Sequence, residues 1–135
     1  MPNLLFSSVN VGELLGGRYR LVRWVAAGGM GSVWLANDTV LDRPVAAKTL
    51  SEALASDPRA VERLRREARA AAVLTHPNVA RVYDFQDGGW PPEGTPAPPS
   101  QPPFMVMEFV RGETLAALIA RRGRLDAHEA VAIAT

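Results

Sequence analysis

Lys48 lies in the apolar run Val45-Ala46-Ala47-Lys48-Thr49-Leu50, which reads as a buried strand. Upstream is a glycine-rich stretch, Val25-Ala26-Ala27-Gly28-Gly29-Met30-Gly31-Ser32-Val33, and downstream Glu67 falls on the apolar stripe of a predicted helix. A cation and an anion that both face a core require one another, because a buried charge left alone is strongly destabilising. Glycines beside such a pair point to a phosphate cradle, since backbone amides approach phosphate oxygens only where side chains are absent. Taken singly, each feature has a plainer explanation. The glycines also suit a tight hairpin, Lys48 could snorkel from a strand edge, and Glu67 could reach solvent.

The elements that must position these residues follow from local pattern. Tyr19 to Val25 is rich in strand formers, Gly28, Gly29 and Gly31 interrupt it, and Ser32-Val33-Trp34-Leu35-Ala36 resumes it, which predicts a hairpin. Asn37, Asp38 and Asp42 mark the next turn, before the Val45–Leu50 strand. Asp57 offers an N-cap oxygen and Pro58 a preset φ, so a helix begins there. Its stripe is Val61, Leu64, Ala68 and Ala71, with Glu67 inside it and Glu62 pointing away, to about Leu74. His76-Pro77-Asn78 ends the helix, and Val79 to Phe85 reads as a strand. Gln86 to Pro103 holds most of the chain's 11 prolines and is expected to be extended and mobile. Phe104-Met105-Val106-Met107 is a short buried strand, and Leu115 to Ala120 a helix closed by Arg121, Arg122 and Gly123. Asp126 and Glu129 open a further helix that reaches Thr135 without a stop signal, so a truncated product is expected.

Composition narrows the classes. With 135 residues, one domain is the natural expectation, and a hydrophobic fraction of 47% suits a folded chain. A net charge of +1 gives no global case for nucleic acid or an anionic membrane, and Arg63, Arg65, Arg66 and Arg69 read as a solvated helix face. The chain has no cysteine, which removes disulfides, zinc thiolates and thiol nucleophiles and fits a reducing interior. No apolar run approaches the roughly 20 residues of a membrane span. A Rossmann fingerprint needs a helix after the glycines, where Val33-Trp34-Leu35 reads as strand, and no Gly-Lys-Ser/Thr tripeptide of a P-loop occurs.

In order and spacing, these elements resemble the nucleotide-binding lobe of a eukaryotic-type (bacterial) serine/threonine protein kinase, from about Gly17 onward. Also similar to that family are His76-Pro77-Asn78, at the helix-to-strand connection, and Met107-Glu108-Phe109-Val110, at the hinge. The resemblance implies an α+β fold: a kinase-like N-terminal lobe with a five-stranded antiparallel sheet and one main helix, then the first helices of a truncated C-terminal lobe. Expected boundaries are a flexible lead-in over 1–16, the lobe over 17–111 with a proline-rich insert at 86–103, and the second lobe from 112 to 135.

By the same resemblance, residues 25–33 would cover ATP. Gly28 and Gly31 match the family's second and third glycines, while Ala26 stands where the first is usual. That alanine is tolerable where its φ is negative. Val33 would pack over the base and Ala46 leave it room; Lys48 would hold the α- and β-phosphates and Glu67 orient Lys48. Met107 would lie at the back of the adenine pocket, with backbone groups of Glu108 and Val110 at the base edge. Asp84-Phe85-Gln86 is like an Asp-Phe-Gly magnesium motif but precedes the hinge, so its order is wrong. His76 reads as a helix-end residue favoured there when charged, and His128 as an exposed first-turn residue.

The implied function is transfer of the ATP γ-phosphate to protein serine or threonine by the full-length kinase, with Mg2+. The expected partners are ATP and protein substrates, without nucleic acid and with no membrane segment in this chain, in the cytoplasm; the full-length parent could carry a downstream membrane anchor. No His-Arg-Asp and no Asp-Phe-Gly occurs in the 135 residues, so the chain alone is expected to be inactive. The alternative is a pseudokinase or an interaction module that does no chemistry.

Overall fold

A computed structural model of the chain describes residues 9–88, 101–124 and 126–127. In chain order the elements are β1 (Leu14–Leu15), β2 (Tyr19–Ala27), β3 (Gly31–Asp38), β4 (Arg43–Leu50), α1 (Glu52–Ala55), α2 (Pro58–Ala72), β5 (Val82–Gln86), β6 (Phe104–Glu108) and α3 (Leu115–Arg122). The strands form one six-stranded sheet in the order β1-β2-β3-β4-β6-β5, and every neighbouring pair is antiparallel. The sheet therefore has one strand more than the five expected.

The additional strand comes from the segment expected to be a loose lead-in. Leu15 is fully buried, and backbone bonds from Gly12 N to Leu21 O (2.8 Å) and from Leu21 N to Glu13 O (2.9 Å) tie the segment to β2. Two residues are too few to show an alternating pattern, so only the tertiary contacts reveal β1. The same holds for α1, a single turn too short to carry a helical period.

Alternation along the strands sorts the core into two layers. One face gathers Leu15, Tyr19, Leu21, Trp34, Ala36, Val45, Ala47, Phe104 and Val106. The opposite face, through Leu50 and Met105, packs on Ala55 and on Ala60, Val61, Leu64 and Ala68 of α2. Helix α2 starts where the cap signals place it: the Asp57 side chain accepts from Arg59 N at 2.9 Å, with Pro58 at the first position. It ends at Ala72, and Val79 N bonds back to His76 O in a turn, so β5 begins at Val82 and not at Val79. His76 takes part in this turn as an acceptor, its Nδ1 receiving Asn78 N–H at 3.0 Å.

Helix α3 is capped by Thr114, whose hydroxyl accepts from Ala117 N at 3.0 Å, and none of its residues is buried. The last expected helix, with Glu129 and His128, lies outside the described residues apart from Asp126 and Ala127.

A buried carboxylate holds the β3–β4 turn. Asp38 is 1% exposed and receives two bonds from the Arg18 guanidinium, both 2.8 Å. It also accepts the amides of Val40 (3.0 Å) and Leu41 (3.2 Å). Led by the Arg18 hydrogen bonds, these contacts hold its pKa well below the usual carboxylate range, against the opposing effect of burial. From sequence, Asp38 looked like an ordinary turn residue. Asp84 is likewise structural: it accepts from the Tyr19 hydroxyl at 2.8 Å, and the Tyr19 pKa is raised chiefly by burial and then by that bond.

The ends of the proline-rich insert also belong to the fold. Gln86 is in β5, Pro103 is fully buried, and Gln101 bridges Gly16 N (2.9 Å) and Leu14 O (3.1 Å). The expectation that the whole of 86–103 is unpacked is therefore corrected at both ends, where strand pairing and apolar contact outweigh proline's preference for open chain. Trp90 lies outside the described residues.

Two outcomes follow. Asp38→Ala should lower unfolding free energy by about 2 kcal/mol, the scale for leaving the turn amides of Val40 and Leu41 without their acceptor, as read from urea denaturation. Because its folded pKa is depressed, the Asp38 contribution is complete above an unfolded value of about 3.9 and is lost as pH falls below it; the wild-type minus Asp38→Ala difference should shrink accordingly. Replacing only residues 89–100 by a short glycine-serine linker should leave Tm within a few degrees, because loop closure depends only logarithmically on length. Replacing 86–103 should abolish cooperative unfolding.

Candidate functional site

Each candidate residue reaches its place through strand register. In the β3–β4 ladder Val33 lies opposite Lys48 and Leu35 opposite Ala46. In the β4–β6 ladder Met105 lies opposite Lys48 and Met107 opposite Ala46. Directly paired residues share a face. Val33, Ala46, Lys48 and Met107 therefore line one surface, the one on which α2 packs. Helix α2 brings Glu67 to the same surface, where Lys48 Nζ donates to Glu67 Oε1 at 2.9 Å.

The pair is less buried than the sequence pattern implied. The side chains of Lys48 and Glu67 are 24% and 43% exposed, so Glu67 sits beside the buried stripe of Ala60, Val61, Leu64 and Ala68 and not within it. An ion pair so open to water contributes at most about 1 kcal/mol. Burying Leu64, which is fully enclosed, contributes about 2 kcal/mol by itself. Apolar packing therefore seats the helix, and the ion pair orients two groups whose other donors and acceptors remain available.

The glycine-rich stretch is the β2–β3 connection. Gly28 N bonds to Gly31 O at 2.8 Å and closes the turn. At its tip a Cβ built on Gly28 or Gly29 would meet nothing within 4 Å, so these glycines leave open space and are not packing necessities. Gly31 differs, because a Cβ there would lie 1.9 Å from the Thr49 carbonyl oxygen. Only glycine lets the returning strand lie this close to β4. Val25, Ala26 and Ala27 form the exposed first arm. Ala26 does not adopt a positive φ, since Asp42 is the sole non-glycine with one among the described residues. Its methyl group thus imposes no backbone strain. Ser32 pairs with Thr49 in the second arm, and Met30 packs half-buried on the helix-side core.

At the other end of the face, β6 ends at Glu108, and Val110 beyond it is 65% exposed. The Glu108 amide donates to Arg81 O at 2.8 Å and its carboxylate accepts from Arg81 N at 3.2 Å. The carbonyl of Glu108 and the amide of Val110 are the backbone groups left to consider there.

Two concavities lie away from this surface. One, of about 220 Å³, is a groove between α2 and β5 lined by Arg65, Ala68, Arg69, Ala72 and Val82 to Phe85. The other, of about 430 Å³, sits among Pro58, Arg59, Glu62, Arg63 and Arg66. Neither touches Lys48 or the glycine turn. Among the described residues no three His, Asp or Glu side chains are gathered as a metal site would need.

Comparison with known proteins places this arrangement. Residues 19–135 match the family described as protein kinase domain. Over 124 residues the chain is 45% identical to the serine/threonine-protein kinase PknA of Mycobacterium tuberculosis, covering 92% of this chain and 27% of that protein. It is 38% identical over 125 residues to the serine/threonine-protein kinase PrkC of Bacillus subtilis, covering 91% of this chain and 17% of that one. The crystal structure of the M. tuberculosis PknI kinase domain superposes with a TM-score of 0.69 at 26% identity, over 93% of this chain and 46% of that one. The chain thus spans about a quarter of the length of PknA and just under half of the solved kinase domain.

The exposure of the ion pair gives a test. Glu67→Gln should change unfolding free energy by less than about 1 kcal/mol in urea denaturation. A loss above about 2 kcal/mol would show that the pair, and not the apolar stripe, holds the helix.

Proposed function

The chain belongs to the protein kinase domain family, and from that premise we propose that its helix-side face is the ATP-binding half of a serine/threonine kinase. The observation that carries this reading is the convergence of Lys48, paired with Glu67 at 2.9 Å, with Val33, Ala46 and Met107 on one surface beside an open glycine turn.

In this reading the side chains divide by chemistry. The Lys48 ammonium has three donors, one spent on Glu67, and the others neutralise α- and β-phosphate oxygens. Glu67 fixes the direction of Lys48. The open tip at Gly28 and Gly29 admits phosphate to the amides that follow Gly28, whose own amide is held by Gly31 O; Met30 and Gly31 fasten the second arm, and Val25, Ala26, Ala27 and Ser32 flank the turn. Val33 packs over the adenine, Ala46 leaves room for it, and Met107 closes the back of its pocket. The Glu108 carbonyl and the Val110 amide meet the base edge.

ATP supplies the transferable γ-phosphoryl group. Its bond to the bridging oxygen of the β-phosphate breaks, releasing ADP, as a new bond forms to a serine or threonine hydroxyl oxygen whose proton passes to a base supplied by the whole kinase. Catalysis of such transfers rests on positioning and charge stabilisation. This chain's residues bind and orient the nucleotide, and its 135 residues contain no His-Arg-Asp and no Asp-Phe-Gly. Binding without transfer is the expected property of these 135 residues. Protein substrates, Mg2+ use and phosphorylation belong to the whole kinase.

A cytoplasmic setting, where ATP is abundant, accords with the absence of cysteine. No helix among the described residues is long and apolar enough to cross a membrane.

Titration of the chain with a fluorescent ATP analogue should give saturable binding that unlabelled ATP displaces. Lys48→Ala should weaken it about tenfold or more, the loss of one or two charge-assisted bonds. Incubation with radiolabelled ATP, Mg2+ and a mixed protein substrate should yield no labelled serine or threonine. Absence of displaceable binding would sink the nucleotide reading, and transfer by the chain itself would sink the division of labour.

A further inference from the structure

The glycine turn is held asymmetrically. On its first arm the β2–β3 register is interrupted by a bulge between Trp24 and Ala26, and Val25, Ala26 and Ala27 are exposed. At the tip, Gly28 and Gly29 have open space around them. The second arm is fastened: the Ser51 amide donates to the Met30 carbonyl at 2.9 Å, and the Met30 side chain packs on the cluster of Leu50, Ala55, Ala60, Val61, Leu64, Ala68 and Met105. Gly31 lies directly on the β4 backbone.

Ser51 is the junction in this arrangement. It follows β4, caps α1, and its carbonyl accepts the amides of Leu54 (3.0 Å) and Ala55 (2.8 Å). The cluster beneath Met30 is also the one that seats α2, the helix carrying Glu67. One half-buried methionine thus rests on the body that sets the Lys48 partner.

We propose that Met30 is a positioning residue that seats the glycine turn on the α1–α2 core and thereby couples the height of the turn over the nucleotide to the placement of Glu67. The first arm, loosened by its bulge, supplies the hinge; the second supplies the anchor. This inference rests on the nucleotide reading for its functional half, whereas the anchor itself is a property of the fold. Methionine suits the place because its unbranched thioether fills an irregular apolar gap. A serine would lose that contact without altering the strand-forming context.

The test uses the full chain with Met30→Ser and Met30→Leu. In amide hydrogen exchange followed by NMR, Met30→Ser should speed exchange at Ser51 at least tenfold while the amides of Val45 to Lys48 keep their protection. It should weaken binding of the fluorescent ATP analogue about fivefold. Met30→Leu, which keeps the apolar seat, should recover most of both effects. Combining Met30→Ser with Glu67→Gln should weaken binding by less than the product of the two single effects, as coupled positions do. Unchanged exchange at Ser51 in Met30→Ser would overturn the anchor. Faster exchange throughout β4 would reduce Met30 to a general stability role and also overturn it. Faster exchange at Ser51 with unchanged nucleotide affinity, or strictly multiplicative effects with Glu67→Gln, would overturn the coupling. If the wild-type chain binds no nucleotide, the functional reading fails and exchange at Ser51 alone decides the anchor.

Discussion

Strand β4 is hydrogen-bonded along both edges, to β3 over Arg43–Leu50 and to β6 over Val45–Thr49, and the rest of the structure depends on that double pairing. A strand held on both sides cannot slip by one residue without turning every side chain to the wrong face. Val45, Ala47 and Thr49 are therefore committed to one layer and Ala46, Lys48 and Leu50 to the other. Lys48 stands on the helix-packed surface because its neighbours in sequence are needed in the opposite core.

Two of the ionic contacts among the described residues differ in kind although their distances are similar. Arg18 and Asp38 meet at 2.8 Å with the carboxylate almost wholly enclosed, and two backbone amides complete its coordination. Removing Arg18 leaves a buried carboxylate short of its cation, and removing Asp38 strips two turn amides of their acceptor, so the contact is structural. Lys48 and Glu67 meet at 2.9 Å in a setting open to water. There the stabilisation is small. Exposure, not distance, separates the pair that maintains the fold from the pair to which the nucleotide proposal is attached.

Most of the sheet and the placement of Lys48 were legible in the sequence because each rests on a local rule. The Val45–Leu50 run, the Asp57-Pro58 helix start and the Gly123 helix end are decided by residues within one turn or strand of each other. The exclusion of Asp84 by motif order also stands beside a structural role, its bond to Tyr19. Elements too short to carry a period were not legible. Leu14–Leu15 pairs with β2, and Leu15 packs in a core that includes the sequence-distant Val45, Phe104 and Val106, while Glu52–Ala55 is a single turn. The proline count of 86–103 concealed the fact that its ends, Gln86 and Pro103, are packed.

By itself the sequence determined which residues could meet: a lysine with fixed strand parity, a glutamate near the helix stripe, glycines between two strands, and the order that resembles a kinase lobe. Only the tertiary structure decided how they meet. It placed Glu67 at the open edge of the stripe, made Gly31 indispensable through the Thr49 carbonyl while leaving Gly28 and Gly29 unconfined, and buried Asp38 against Arg18. The reason is range. Parity, caps and turns arise from neighbours along the chain, whereas burial, unsatisfied polar groups and close backbone approach arise from partners that are brought close only once the sheet and helix have packed.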